Sequence, residues 1–378
     1  MGMDLLLISS LDGLCRQQAC EEIAAAHPGS VLVVHDLLED GLVIRRIYQD
    51  STLVERTETT LEHGCLSCVL RLDLVPTVER LLKDAPRPIV VSLPPTVPAA
   101  LAVDALNRGL GHAAEVAAVV VACAADALED HLWDAHTLFE SGFTPIASDD
   151  RTAGEFLLGE LDFAETVLLA APEIVPVNPA DVERGRHLLR ELAAHAHLAE
   201  KATRLRPGRF NYATSLARTL PGAVHPPRGG PRQRSAAASK DPKPRQPAAV
   251  GPGASPFTTV FHSAHRPLHP GRFREALGSL AAGCCVLRGH VWMASAPECR
   301  IAVQGIGPRV WLENIGAWPA KSAEMRDGGH STAVSATGEG LDAAEIFALL
   351  TACELTDAEM SALNSSSAAN QPLEKETP

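Results

Sequence analysis

Short apolar runs alternate with amphipathic stretches through the first two hundred residues. LLLIS (5–9), VLVVH (31–35), PIVVSL (88–93), VAAVVVAC (116–123) and TVLLA (166–170) are apolar nearly throughout, as strands buried on both faces are. Between them, 14–26, 72–84, 97–108 and 181–199 carry apolar residues three and four apart, for example Leu74, Val78, Leu81 and Leu82, which predicts helices. The alternation predicts an α/β fold, a mostly parallel sheet flanked by helices on both faces. Ligands of such sheets sit at the carboxyl ends of the strands.

The last third is patterned differently. FTTVFH (257–262), CCVLRG (284–289), HVWMAS (290–295), RIAVQG (300–305) and RVWLEN (309–314) follow one another as short strands, with one helical insert at 269–280. Pro270 suits the first position of that helix. A further helix is predicted at 341–353, and Thr356 and Glu359 after it have capping-box spacing. This is a small α+β domain with a mainly antiparallel sheet. Residues 215–256 are dense in Pro, Gly, Ser and Arg with no apolar period, the composition of a disordered basic linker. The expected organisation is therefore a domain over 1–214, a linker over 215–256, a second domain over 257–362 and a disordered tail over 363–378. No internal repeat is visible.

Charge and cysteine content narrow the function classes. The 33 Lys plus Arg against 46 Asp plus Glu give a net charge of −13, which argues against general binding to nucleic-acid backbones or anionic membranes. Any RNA contact would fall to the basic linker, and such linkers are more often merely solvated. No apolar stretch is long enough to span a bilayer, and MGMDLLLISSLDG lacks a basic leader region, so a cytoplasmic location is expected. In that compartment the nine cysteines are reduced thiols rather than a disulfide framework.

Four segments bear a family resemblance when taken in order. GCLSCVLRLDLVPTVERLL (64–82) resembles the cysteine-rich segment of the CobW-type P-loop GTPases, a family implicated in metal delivery. FHSAHRPLHPGRF (261–273), LRGHVWMA (287–294) and GIGPRVWLENIGAW (305–318) resemble the elements of that family's C-terminal domain. The resemblance implies a P-loop-type domain followed by a CobW C-terminal-like domain.

Three nucleotide-binding elements of that family are altered here. A P-loop needs G-x-x-x-x-G-K-[ST], whose amides cradle phosphates, whose lysine neutralises them and whose hydroxyl holds magnesium. The corresponding turn is ISSLDGLCRQQ, with Cys15 at the lysine position, Arg16 at the hydroxyl position and Gly13 the one remaining glycine. Arg16 could attract an anion at the helix start but supplies no magnesium ligand. SLPPTVP (92–98) replaces the acidic segment, and AAPE (170–173) replaces the guanine-reading Asn-Lys-x-Asp. The expectation is a degenerate site, represented by Gly13 and Arg16, that neither binds nor hydrolyses GTP with magnesium, and no catalytic residues.

Cys65 and Cys68 admit two readings of equal weight. A CxxC pair supplies two of the four ligands zinc prefers, and closure would need His63, Glu62, a distant cysteine or a partner protein. Were Asp73 to cap the following helix, the cysteines would lie just before its positive end, where thiolate is favoured. Alternatively, two small residues fill a tight buried turn. A thioredoxin-like redox role fits less well, since that motif opens a helix directly after a strand. Cys284 and Cys285, adjacent on a strand, point to opposite faces and are expected in the core. His262, His265 and His269 are explained by capping and packing as well as by metal. Arg266, His265 and Arg272 form a candidate anion-binding or interdomain surface, and Trp292, Trp311 and Trp318 are expected as core aromatics.

The shortened cysteine motif and the altered P-loop beside an intact C-terminal signature are most similar to a divergent CobW-like branch described as recruiting a ribosome hibernation factor. That resemblance implies a zinc-linked, non-catalytic adaptor with a protein partner. The alternative is a GTP-dependent metallochaperone.

Overall fold

Eight strands of the first unit share one sheet because most of them are apolar on both sides. The computed structural model describes residues 3–362 apart from 62–64, 85–86, 172–175, 205–207, 226–231, 236–254 and 320–329, and the chain divides near Leu220 into two units. The first unit runs β1 (Met3–Ser10), α1 (Gly13–Ala26), β2 (Val31–Leu37), β3 (Leu42–Gln49), β4 (Thr52–Thr60), α2 (Leu66–Val69), a π-helical turn over Leu70–Leu74, and α3 (Val75–Asp84). It continues with β5 (Ile89–Ser92), α4 (Ala99–Leu110), β6 (Ala114–Ala124), α5 (Leu128–Trp133), α6 (Ala153–Phe163), β7 (Thr166–Ala170), α7 (Pro179–Leu192), β8 (His197–Ala199) and α8 (Tyr212–Thr219). The strand order is β4-β3-β2-β5-β1-β6-β7-β8. Pairing is parallel except along β2–β3–β4.

Alternate residues of the central strands point to opposite faces. Leu6, Ile8, Val34, Val120 and Leu168 bury against Cys15, Ala19, Cys20 and Ile23 of α1. Residues of the other parity, Leu5, Leu7, Val119 and Val121, are equally buried, so the second face is covered too, with α4 on β1 and β6 and α6 on β6. Helix α7 meets the chain after β6 so closely that a Cβ at Gly185 would lie 1.8 Å from the Ala125 carbonyl. Only glycine fits there.

The second unit contains β9 (Arg232–Ser235), β10 (Phe257–Ala264), α9 (Pro270–Ala281), β11 (Cys284–Trp292), β12 (Cys299–Ile306), β13 (Arg309–Ala317), β14 (Thr332–Glu339) and α10 (Ala343–Cys353). The order is β13-β12-β11-β14-β10-β9, with β14 antiparallel to both β10 and β11 and β9 parallel to β10. Phe273 and Leu280 of α9 and Ile346 and Leu350 of α10 pack on Val260, Leu287, Val291 and Val334 of the sheet.

Several boundaries differ from the sequence expectation. The segments 284–289 and 290–295 are one strand, because Gly289 takes φ +146° and continues the ladder; a Cβ there would meet the Ala333 carbonyl at 2.1 Å. The predicted helix 181–199 stops at Leu192, since 197–199 is needed to pair with β7. Strands β3, β4 and β14 and helices α5, α6 and α8 were not predicted. The linker was expected from Ser215, yet α8 runs to Thr219 with Ser215 buried and Arg218 donating to the Asp162 and Phe163 carbonyls. Within the same stretch Arg232–Ser235 pairs with β10. The rest of the expected linker and the tail over 363–378 lie outside the described residues. Among the described residues, no helix is long and apolar enough to cross a membrane.

Helix α4 lacks a side-chain cap from its own Pro98. Instead the buried Glu160 carboxylate of α6 accepts the Ala99 amide at 3.1 and 3.2 Å. Burial pushes the Glu160 pKa up to about 7. A carboxyl whose pKa is higher folded than unfolded stabilises the fold at low pH, and that contribution is lost as pH rises from about 4.3 through the folded value. Glu160→Gln should therefore flatten the fall in unfolding free energy between pH 4.5 and 7 by up to about 3 kcal/mol, read from urea denaturation at each pH.

Candidate functional site

The carboxyl end of β1 leads into the turn where a nucleotide-binding loop would lie. Asp12 is extended (φ −126°, ψ 160°) and caps α1, its Oδ1 accepting the amides of Leu14 at 2.9 Å and Cys15 at 2.8 Å. A carboxylate of the chain itself thus uses the donors that a helix start offers to an anion. Ser10 Oγ is also engaged, donating to the Ala122 carbonyl at 3.0 Å. Gly13 opens the helix, and a Cβ there would touch nothing within 4 Å, so no close backbone approach requires a glycine. Cys15 is buried beside Cys123, and desolvation raises both thiols far above the ordinary range, Cys123 to about 12.

Arg16 does not face an anion from solvent. It is 7% exposed, and its Nη1 donates to the His35 carbonyl at 2.7 Å and the Leu93 carbonyl at 3.2 Å, while Nη2 bonds Asp36. Asp36 also pairs with Arg46 of β3. One guanidinium therefore joins α1 to the carboxyl ends of β2 and β5. The segment after β5 is held by the Thr96 amide donating to Ser10 O (3.1 Å) and by Arg151 Nη2 donating to Thr96 O (3.1 Å). Thr96 itself takes φ +64°, costly for a β-branched residue, and its buried hydroxyl has no hydrogen-bond partner among the described residues.

A cavity of about 610 Å³ opens along α1, from its first turn towards its carboxyl end. Gly13, Arg16, Cys20, Glu21, Arg46 and Tyr48 contribute to its wall, and Ser10, Leu11 and Asp12 do not.

Cys65 and Cys68 lie at the start of the helical run formed by α2, the π turn and α3. Cys65 is the extended residue before α2 (φ −84°, ψ 151°); the Cys68 amide donates to its carbonyl at 3.0 Å. The two sulfurs are 3.1 Å apart and share a hydrogen bond. Cys65 is exposed, whereas Cys68 is half-buried against Leu37, Val43, Leu61 and Val69. Their shared bond, with the Cys68 and Ser67 amides, holds the Cys65 thiol below its ordinary pKa, and the same bond raises Cys68. His63 and Glu62 lie outside the described residues. Among the described residues, no three His, Cys, Asp or Glu side chains come together as a metal site.

Asp73 does not cap this helix, as the sequence suggested it could. It sits inside the π turn, buried, bonded to Arg45 of β3 and 3.3 Å from His35 Nε2 of β2. Burial alone would raise its pKa, but His35 and Arg45 outweigh that and hold it low. Arg45 also donates to Thr77 at 2.7 Å and Glu55 at 2.9 Å, so the cysteine-bearing helix is pinned to β3 and β4 by a ladder of charges.

The remaining candidates serve the second unit. Cys284 and Cys285 are buried, their thiols on the Leu280 and Thr337 carbonyls. His269 Nδ1 caps α9 by accepting the Gly271 and Arg272 amides, and His262 is fully buried on β10, its pKa pushed down to about 4 by desolvation. The arginines do not form a free anion surface: Arg266 pairs with Asp357, and Arg272 with Glu359 and the Glu354 carbonyl. Glu359 completes the predicted capping box with Thr356. Trp292, Trp311 and Trp318 are half-exposed rather than core, with Trp292 and Trp318 each 5.2 Å from the His330 ring.

Asp12, Asp36, His35, Arg45 and Thr96 were missed as site-forming residues. Asp12 before an apolar-periodic segment was a visible cap signal; the other four meet their partners only through tertiary contacts.

Comparison with known proteins adds the following. Residues 257–354 match the family described as the cobalamin synthesis protein cobW C-terminal domain. The zinc chaperone Rv0106 of Mycobacterium tuberculosis is 27% identical over 325 residues, covering 81% of this chain and 73% of that protein. The uncharacterized protein Mb0109 of Mycobacterium bovis matches with the same identity and coverage. Among solved structures, the Zn(II)-bound YjiA GTPase from E. coli aligns over 94% of this chain and 100% of that one, with 12% identity and a TM-score of 0.35, a likeness that adds nothing to what the strand order establishes.

Removing the buried guanidinium would take away the N–H donor that Arg16 gives to the His35 and Leu93 carbonyls and the partner it gives to Asp36. Arg16→Ala should lower unfolding free energy by about 3 kcal/mol, read from the urea midpoint at unchanged m. Arg16→Lys should recover only part of that, because one ammonium cannot reach two carbonyls and a carboxylate in the guanidinium geometry.

Proposed function

We propose that this chain, which belongs to the CobW-type family, acts in zinc homeostasis as a non-catalytic adaptor or regulator, holding zinc as cargo or signal at Cys65 and Cys68. The observation that carries the non-catalytic part is the Asp12 carboxylate on the Leu14 and Cys15 amides. A triphosphate placed there would meet a fixed negative charge and two donors already in use. The cationic side chain of the same turn, Arg16, is committed to internal partners. The turn carries neither a lysine nor a hydroxyl at the positions that neutralise phosphate and hold magnesium. These residues do not fit GTP with magnesium.

Zinc suits the other end of this region. Two adjacent sulfurs, one exposed and with its thiol pKa lowered, supply half of a tetrahedral thiolate set. His63, Glu62 or a residue of a bound protein would supply the rest. A site that needs a partner to close would also make recruitment depend on zinc, in keeping with an adaptor of the kind that brings in a ribosome hibernation factor.

Two measurements separate this reading from a GTP-dependent metallochaperone. Calorimetric titration of the full chain with GTP and magnesium should give no heat of binding at micromolar protein; tight binding with phosphate release overturns the non-catalytic reading. Metal analysis after zinc loading should find one zinc per chain in the wild type and a loss of about tenfold or more in zinc affinity in Cys65→Ser/Cys68→Ser. Equal zinc in both proteins overturns the assignment of the pair.

A further inference from the structure

Nine cysteines stand in this chain and one of them, Cys65, is exposed; Cys68 and Cys299 are half-buried and the other six are buried. A soluble thiol reagent therefore meets Cys65 first. Its sulfur already lies 3.1 Å from that of Cys68. A disulfide needs about 2.05 Å, so closure asks for about 1 Å of approach by two side chains on one turn. The backbone needs no rearrangement, because the Cys68 amide and the Cys65 carbonyl hold that turn at 3.0 Å. Below it, the Asp73–Arg45–Glu55 ladder anchors the helix to the sheet, so bond formation at the first turn leaves the rest in place.

We propose that Cys65 and Cys68 are a reversible thiol–disulfide couple whose substrates are low-molecular-weight disulfides. Deprotonated Cys65 attacks one sulfur of the soluble disulfide; a bond forms between them, the old S–S bond breaks, and the released thiolate takes up the proton that Cys65 lost. Cys68 then gives up its proton and attacks Cys65 Sγ, forming the intramolecular bond and releasing the second soluble thiol. The two protein thiols are oxidised and one disulfide is reduced to two thiols. One consequence rests on the zinc reading above: the closed pair offers no thiolate to zinc, so oxidation would empty the site.

The test uses the full chain, reduced, chelator-treated and equilibrated with mixtures of oxidised and reduced glutathione. Acid quenching, N-ethylmaleimide labelling and mass spectrometry of the peptide spanning 65–68 follow. In the wild type both labels should be lost together, with no glutathione retained and full recovery on adding dithiothreitol. Cys68→Ser should keep a glutathione adduct on Cys65, because the resolving thiol is gone. Retention of both labels at every ratio, or a persistent adduct in the wild type, overturns the proposal. A second arm loads zinc first and follows its release with a chromophoric chelator. Disulfide closure in a protein that never holds zinc at the pair upholds the couple while the zinc reading falls; zinc held by the pair with no closure in the metal-free protein overturns the couple and leaves the zinc reading standing.

Discussion

A guanidinium buried where parallel strands end holds the first unit's candidate site together. Carbonyls at the carboxyl edge of such a sheet have no further strand partner, and they cost free energy if left dry and unpaired. In a ligand-binding member of this architecture that edge faces the ligand. Here Arg16 reaches from α1 to the His35 and Leu93 carbonyls and to Asp36, and Asp12 takes the amides at the helix start. The edge is satisfied by the chain's own side chains. The strained Thr96, kept in place by Ser10 and Arg151, belongs to the same closed surface.

The charge network continues onto the opposite side of β2. His35 lends its carbonyl to Arg16 and its ring to Asp73, and Asp73 passes the contact to Arg45 and so to Glu55. A buried aspartate in a helix is expensive unless paired, and this pairing explains both its low pKa and the fixed seat of the helix. The first turn, by contrast, is left at the surface with two thiols in contact. Rigid support beneath an accessible pair is what a ligand set or an exchange site requires.

In the second unit, residues that resemble a family signature turn out to build structure. His269 caps a helix, while Arg266 and Arg272 tie the chain after α10 to the segment before α9 and to its first turn. The aromatic residues that resemble signature elements lie half-exposed with His330, outside the cluster formed with α9 and α10. Signature residues of a small domain carry its folding as readily as its contacts.

Period and composition determined the parallel centre of the first sheet: β1, β2, β5, β6 and β7 are apolar on both faces, as strands covered on both sides are. The cysteine spacing likewise placed Cys65 and Cys68 on one turn. Strands β3 and β4 were illegible, because LVIRRIYQ and TLVERTETT place charges toward a helix and an open edge, where burial no longer alternates cleanly. Only the tertiary structure decided that Arg16 braces α1 to the ends of β2 and β5, and that Asp73 is a buried anchor rather than a cap. The physical reason is the same in both cases. A charged side chain's role is set by the partners within its reach, and those partners, Asp36, Leu93, His35 and Arg45, are distant in sequence and adjacent only once the sheet has formed.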